Sequence, residues 1–397
     1  MISVDAYRET VTELLGRAPV TTVPVAEAAG LVVARDVPAD VSLPPFDNSA
    51  MDGYAVRAED VAEVPVMLPV ADDIPAGRTD VKPLESGTAQ RIMTGAPLPP
   101  GADAIVMVED TDRGTSKVQI SRAVVEGNHI RRVGEDVKKG TIALREGTVL
   151  SHAHLGLAAA VGLAELTVYR PLSVLVVSTG TELVEAPNPL QHGQIYESNS
   201  VMLAAALRGL GCRVEVVRSV VDDVAEFRKI IEPRLESVDL LLTSGGVSAG
   251  AYEVVKDALT GQGVEFQKVA MQPGGPQGCG RWNGVPVVTL PGNPVSVLVS
   301  FEAFLRPAVL SAMGHSDVDR RRVRARLTED MTSPAGRRQF RRGFYTPVLG
   351  EVTGVVGPRG GPGSHLLASF TQANCLIVLP EEVTAAAEGD EVEVLLL

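Results

Sequence analysis

The chain has 397 residues, more than one hydrophobic core organises at roughly 150 residues per domain, which implies several domains. Lys and Arg total 36 against 49 Asp and Glu, a formal net charge of −13; with 45% hydrophobic and 21% charged residues this is ordinary globular usage, which excludes disordered, collagenous and coiled-coil chains. The acidic balance also excludes general adhesion to nucleic acid, which needs a basic surface to displace counterions.

Ser3 can cap a helix whose Tyr7, Val11, Leu14 and Leu15 share one face. From Val20 to about Leu150 short β-type runs (Leu31 to Val33, Ala104 to Val108, Lys117 to Ile120, Thr148 to Leu150) alternate with Pro- and Gly-rich turns, and this region reads as mostly β. A small-residue helix is expected over His152 to Gly162. Beyond Pro171 the pattern becomes regular. Strand Leu172 to Val177, helix Asn199 to Arg208, strand Val214 to Val217, helix Val224 to Leu235, strand Val238 to Leu242 and helix Val254 to Leu259 follow in order. Strand Val264 to Met271, strand Val285 to Leu290 and helix Ser296 to Met313 complete the series. Apolar strands alternating with helices imply parallel strands covered on both faces, a doubly wound α/β domain over 171–316. From Arg321 alternating runs such as Val323, Ala325 and Leu327, and a last strand near Glu391 to Leu396, predict a small C-terminal β domain over 317–397.

Three scattered cysteines (Cys212, Cys279, Cys375) make neither a disulfide framework nor a CxxC metal site, and read as buried thiols in a reducing compartment. The start MISVDAYRETV lacks the basic and apolar parts of a signal peptide, so a cytoplasmic location is expected. The apolar run Leu155 to Ala164 falls short of the roughly 20 residues that span a bilayer, and no membrane span is expected. His152 and His154, at i, i+2, do not share a helical face and do not suggest a zinc site.

Three Gly-containing turns follow apolar strands of the α/β domain: Ser178-Thr179-Gly180-Thr181-Glu182, Ser244-Gly245-Gly246-Val247-Ser248 and Pro291-Gly292-Asn293-Pro294-Val295-Ser296. Each alone is equally a tight strand-to-helix connection. Together they gather at the carboxyl edge of one sheet, where loop N–H groups and helix N-termini bind anions, so a phosphorylated ligand is expected. Glu182, Asp222 and Glu253 lie beside these turns. Asp222 also reads as a helix N-cap, and Glu253 as a first-turn acid favoured by the helix dipole. Carboxylates facing an anion repel it unless a cation intervenes, which points to Mg²⁺ bridging them to phosphate oxygens. Three turns of the β region are also dense in polar groups: 46–54, Arg91-Ile92-Met93-Thr94-Gly95-Ala96 and Gly134-Glu135-Asp136, each also explicable by turn chemistry.

Taken in order, Asn48-Ser49-Ala50-Met51-Asp52-Gly53-Tyr54-Ala55, Arg91-Ile92-Met93-Thr94-Gly95-Ala96, Ile130-Arg131-Arg132, Gly134-Glu135-Asp136 and the three α/β turns resemble the MoeA/gephyrin E-domain family over nearly the whole chain. The resemblance implies an elongated four-domain homodimer with a MogA-like α/β domain. Domain I would be 1–40 with 140–170, with the first helix free to pack elsewhere, and domain II would be 41–139. It implies a molybdopterin molybdenumtransferase: adenylylated molybdopterin and molybdate enter, and molybdenum cofactor and AMP leave, with Mg²⁺. The cleft would lie between subunits, bringing Asp52, Thr94 and Asp136 of one chain opposite Glu182, Asp222 and Glu253 of the other as catalytic groups, the last three holding the metal.

On the same resemblance Ser178, Thr179, Gly180, Ser244, Gly245, Gly246, Pro291 and Asn293 bind the pterin phosphate and adenylate. Lys268, Gln272, Gly275, Pro276, Ser296, Arg342 and Ser364 match the molybdate site. Glu253 stands where Asp is usual, and Gln272 and Gly275 replace two family lysines, so weaker molybdate binding is expected. The arginine run 320–326 and 337–342 reads as a solvated strand face, except Arg342, whose guanidinium suits an oxyanion. The alternatives are a paralogue favouring tungstate and a non-catalytic carrier or scaffold. A partner enzyme delivering the adenylylated pterin is the further interaction the family suggests.

Overall fold

The computed structural model describes residues 1–220, 223–246 and 254–397. Continuous apolar runs become the centre of a six-stranded sheet. Ser173–Thr179 pairs in parallel with Arg213–Val220 on one side and Leu240–Ser244 on the other, and Leu240–Ser244 pairs in parallel with Val285–Leu290. Helices Asn199–Gly209, Val224–Leu235 and Val254–Leu259 supply the connecting layers. Two hydrophobic clusters, one on each face, bury Val174, Val176 and Leu242 on one side and Leu175, Val177 and Leu241 on the other, which is the period-2 alternation of strands covered on both faces.

Two features depart from the sequence reading. The expected strand 264–271 is divided: Val264–Lys268 stays in this sheet, whereas Met271–Gln272 crosses to the C-terminal sheet and pairs in parallel with Arg338–Thr346. Pro276–Trp282, to which the sequence reading assigned no element, is an antiparallel strand between Val264–Lys268 and Val285–Leu290. Its glycines mark close packing. A Cβ at Gly278 would lie 2.4 Å from Thr289 Oγ1 and 2.9 Å from the Phe266 ring, so only Gly fits there.

The C-terminal sheet is also six-stranded, from Met271–Gln272 through Arg338–Thr346, Gly354–Pro358, Arg322–Leu327 and Glu391–Leu396 to Cys375–Leu379. In the N-terminal region a five-stranded sheet contains Gly53–Val56, Val66–Ile74, Ala89–Ile92, Ala104–Met107 and Lys117–Ile120. The expected runs at 31–33 and 148–150 form isolated bridges, Val32 with Val149 and Val33 with Val168.

The first helix, Val4–Leu15, is capped by Ser3, whose Oγ accepts from Ala6 N at 3.2 Å. It does not join residues 140–170. Tyr7 and Val11 enter the core of the α/β sheet, Tyr7 meeting Phe304 edge-on at 4.9 Å. The same core takes in Phe340, Leu376 and Leu395 of the C-terminal sheet, so these two sheets share one apolar interior. Pro294–Ala312 is the one described helical run long and apolar enough to cross a bilayer, longer than the 155–164 run, and 72% of its most apolar window is buried against the protein. Cys212, Cys279 and Cys375 are all buried and free, as the sequence led us to expect.

Candidate active site

The three turns of the α/β sheet follow the carboxyl ends of three neighbouring parallel strands, and they meet. A Cβ built on Gly292 would stand 3.6 Å from Gly245 Cα, and one on Gly245 would stand 3.1 Å from the Thr179 carbonyl oxygen. Gly245 N donates to Leu290 O at 3.1 Å, stitching the second turn to the strand that feeds the third. Gly245 and Gly246 both have positive φ, +89° and +67°, which turns the chain sharply where a side chain at 246 would also strike Val255.

Buried hydroxyls at this edge lack partners: Thr179 Oγ1, Ser244 Oγ, Thr243 Oγ1 and Thr289 Oγ1. Orphaned polar atoms cost stability, and their concentration at a sheet's carboxyl edge marks a place built for a polar ligand. Asn199 also belongs here. It opens the helix Asn199–Gly209, its Nδ2 donates to Gly292 O at 2.7 Å, and its Oδ1 is buried without a partner. Sequence reasoning passed over it, although the Glu197-Ser198-Asn199-Ser200 run before a helix carried a polar signal.

Glu182 is exposed at the end of the first turn, with its carboxylate folded back over Gly180, where a Cβ would meet both oxygens at 2.5–2.8 Å. Asp222, Glu253, Val247 and Ser248 lie outside the described residues. The expected capping role of Asp222 belongs to its neighbour: Asp223 Oδ1 accepts from Glu226 N at 2.8 Å at the start of Val224–Leu235. Among the described residues no group of three His, Cys, Asp or Glu side chains is placed to hold a metal ion.

Of the residues matched to an oxyanion site, Ser296, Ser364 and Arg342 meet near the start of the helix that follows the third turn. Asn293 occupies its N-cap position and Pro294 its first turn. Ser296 is buried on it, and Val295 N donates to Ser364 O at 3.1 Å, which brings the 359–364 loop onto the helix start. Arg342 holds that loop from within. Only 3% exposed, its guanidinium donates to the carbonyl oxygens of Arg359 (3.4 Å), Gly363 (3.1 Å) and Gly361. No carboxylate pairs with it in its described hydrogen bonds and ion pairs, and burial together with neighbouring Arg341 pushes its pKa down. Such a cation suits an anion.

Four other arginines of the run differ. Arg320 pairs with Glu302, Arg322 with Glu393, Arg326 with Glu351, and Arg338 with Asp5 and Glu381, so these are neutralised structural pairs. At the other end of the helix, Gln277 Nε2 donates to Ser300 Oγ at 2.6 Å and to Gly274 O at 2.7 Å, fixing the 272–276 turn with Gly275 and Pro276. Gln272 Oε1 accepts from Gln339 Nε2 at 2.9 Å. Lys268, exposed at the end of its strand, pairs across from Pro276.

The three polar turns of the N-terminal region converge separately. Asn48–Ser49 pairs with Ile130–Arg131, Gly95 N donates to Ser49 O at 2.8 Å, and Asp136 N donates to Leu43 O at 2.9 Å. Gly53 is required by close approach, since a Cβ there would stand 2.0 Å from Val106 O across the strand pair. Asp52 Oδ1 accepts from both Thr94 N (2.7 Å) and Thr94 Oγ1 (2.8 Å), and these bonds hold its carboxyl below the usual value. Asp47 is held down likewise by Val133 N and Arg132. Within one chain Asp52, Thr94 and Asp136 belong to strand pairs and turns separate from the α/β sheet that carries Glu182.

Family models match almost end to end: the MoeA N-terminal region (domain I and II) over residues 2–162, a probable molybdopterin binding domain over 175–311, and the MoeA C-terminal region (domain IV) over 324–397. Molybdopterin molybdenumtransferase 2 of Mycobacterium tuberculosis is 53% identical over 405 aligned positions that cover 99% of each chain. The chain belongs to the MoeA family of molybdopterin molybdenumtransferases. Molybdopterin molybdenumtransferase of Haemophilus influenzae is 39% identical, covering 93% of this chain and 91% of that one. Two crystal structures of molybdopterin biosynthesis MoeA proteins from Pyrococcus horikoshii align over 100% of this chain and 99–100% of theirs, with TM-scores of 0.86 and 0.81 at 32% and 28% identity. This MoeA-family chain is therefore a transferase of molybdenum cofactor biosynthesis, and the central sheet with its three converging turns lies in the segment that matches the probable molybdopterin binding domain.

Proposed function

We propose that the chain inserts molybdenum from molybdate into adenylylated molybdopterin and releases AMP, in a Mg²⁺-dependent reaction. The observation that carries this reading is the junction at helix Pro294–Ser300: its N-terminal side is the third phosphate-type turn, and its flanks hold Arg342, Ser364 and Ser296. A polyanion laid along the Ser178, Ser244 and Pro291 turns would thus end beside a buried, acid-free guanidinium.

In this reading Thr179, Ser244 and the N–H groups of Gly180, Gly245 and Gly246 bind phosphate oxygens, with Asn199 and Asn293 closing the third turn. Arg342, Ser296, Ser364, Gln272 and the Gly275 backbone bind molybdate, and Lys268 lies at the entrance. A guanidinium has five N–H donors; three meet carbonyls, which leaves two for an oxyanion. Glu182 offers the hard oxygen donor that Mg²⁺ accepts together with phosphate oxygens, and the resemblance assigns Asp222 and Glu253 to the same ion. When bound, Mg²⁺ neutralises phosphate charge and so eases departure of AMP.

A second copy of the chain would close the cleft, Asp52, Thr94 and Asp136 of one protomer facing Glu182 of the other, in a cytoplasmic homodimer. Delivery of the adenylylated pterin by a partner enzyme completes the proposal. AMP release from purified protein with adenylylated molybdopterin and Mg²⁺ tests it, with molybdate and tungstate as separate arms. Molybdate-dependent release supports the reading, tungstate preference supports the paralogue suggested by the neutral Gln272, and no release with either oxyanion leaves a carrier.

A further inference from the structure

We propose that Arg218 is a positioning residue that clips together the two ends of the 182–199 loop and thereby fixes where Glu182 stands. This rests on the reading of Glu182 as an oxygen donor to Mg²⁺. An exposed carboxylate on a loop serves a cation well only when its backbone is already in place, because ordering the loop would otherwise be charged against binding.

The loop folds back on itself. Beyond Glu182 the short strand Leu183–Val184 pairs in parallel with Ile195–Tyr196. Ile195 N donates to Glu182 O at 2.9 Å, Glu197 N to Val184 O at 3.0 Å, and Leu183 N to Gly180 O at 3.1 Å. The main chain around Glu182 is therefore tied both to the first turn and to the far end of its own loop. Two residues of pairing contribute little alone, and Ile195 and Tyr196 are exposed, so burial of this strand does not hold it.

Arg218, on the edge strand Arg213–Val220 of the α/β sheet, supplies the closure. Its Nη1 donates to Glu185 Oε1, just past the first short strand, and its Nε to Ser200 Oγ at 3.2 Å, with Glu197 Oε2 4.0 Å from the same nitrogen. Glu197, its side chain 1% exposed, accepts from Ser200 N at 2.8 Å and from Ser200 Oγ at 2.5 Å, which anchors the second short strand to the start of helix Asn199–Gly209. One guanidinium thus spans both ends of the loop. At the same helix start Asn199 donates to Gly292 O of the third turn at 2.7 Å, so the clip also registers Glu182 against that turn.

The test compares Arg218→Gln, Arg218→Lys, Glu185→Gln and the double variant Arg218→Gln/Glu185→Gln in the full chain. Without any ligand, amide hydrogen exchange at Ile195 and Glu197 should quicken by about threefold to fivefold in Arg218→Gln, the range expected for a partly exposed ion pair. In AMP release half-saturating Mg²⁺ should rise by the same factor, while half-saturating molybdate and turnover at saturating Mg²⁺ stay within about twofold. Arg218→Lys, which keeps the charge but not the fork, should recover part of both effects. Adding Glu185→Gln to Arg218→Gln should change little more, because the two side chains act as one pair. Unchanged exchange in Arg218→Gln overturns the clip. Faster exchange with unaltered Mg²⁺ dependence, or with molybdate dependence shifted equally, overturns its positioning of Glu182. AMP release by the unaltered protein that is indifferent to Mg²⁺ fails the metal reading itself, a result distinct from Mg²⁺-dependent release that Arg218 does not influence.

Discussion

Replacing Arg342 with Met should damage stability and molybdate use together, because one buried guanidinium serves both. It joins three carbonyl oxygens of the 359–363 loop, and that loop delivers Ser364 to the helix start through Val295 N. Each lost bond between a charged donor and a carbonyl is worth about 1.5–3 kcal/mol when buried, but the loop is partly exposed and water replaces some of the loss. The longest bond, 3.4 Å to Arg359 O, contributes least. A loss of about 2–3 kcal/mol in urea unfolding is therefore expected. Half-saturating molybdate in the AMP-release assay should rise more than about tenfold. Arg342→Lys should recover roughly half of the stability, since a single ammonium cannot span three carbonyls. Stability lost without any change in molybdate dependence refutes the oxyanion role; wild-type values for both refute the loop-holding role as well.

Gln272→Lys restores a cation beside the oxyanion and should lower half-saturating molybdate by about threefold to tenfold; no change would mean that the neutral residue does not weaken binding. Thr94→Val removes one of the two bonds that depress Asp52, so NMR titration should show this carboxyl moving up toward its ordinary 3.8. A depressed acid contributes stability that is present above 3.8 and lost as pH falls through its folded value, so the variant should lose less on acidification below pH 3.8; an unmoved Asp52 titration contradicts the assignment. Burial pushes the Cys212 thiol up to about 12 and the Cys375 thiol to about 11, and Cys279 is raised as well. A thiol reagent at neutral pH should label none of the three quickly until denaturant is added, and rapid labelling of any one in the native protein contradicts its burial.

The elements that the sequence predicts best are those whose local pattern and final environment agree. Helix 224–235 and strands 117–120, 285–290 and 391–396 have the boundaries their apolar periodicity suggests, and helix 254–259 ends where its periodicity does. The strand Pro276–Trp282 was illegible because its glycines answer to neighbours in space, Phe266 and Thr289 at Gly278 and Gly263 at Gly280, rather than to a turn. The break between Lys268 and Met271 was illegible for a related reason: one continuous β-type run serves two sheets, and nothing local says where it changes partners. The helix 294–312 includes a π segment, Phe301–Leu305, that leaves no periodic trace.

At the site, the gathering of the three turns followed from strand order alone, since loops after neighbouring parallel strands must meet. The partners of Arg342 and Gln272 did not. Arg342 and Gly361 are 19 residues apart, and Gln272 and Gln339 are 67 apart, on neighbouring strands of the C-terminal sheet. Such pairs have no spacing rule, and only packing reveals them.

The most direct measurement is AMP release by the purified protein from adenylylated molybdopterin with Mg²⁺, with and without molybdate, followed by detection of molybdenum on the pterin product. Molybdate-stimulated AMP release in step with molybdenum incorporation is the predicted result. AMP formation indifferent to molybdate, or molybdenum incorporation without AMP, contradicts the account.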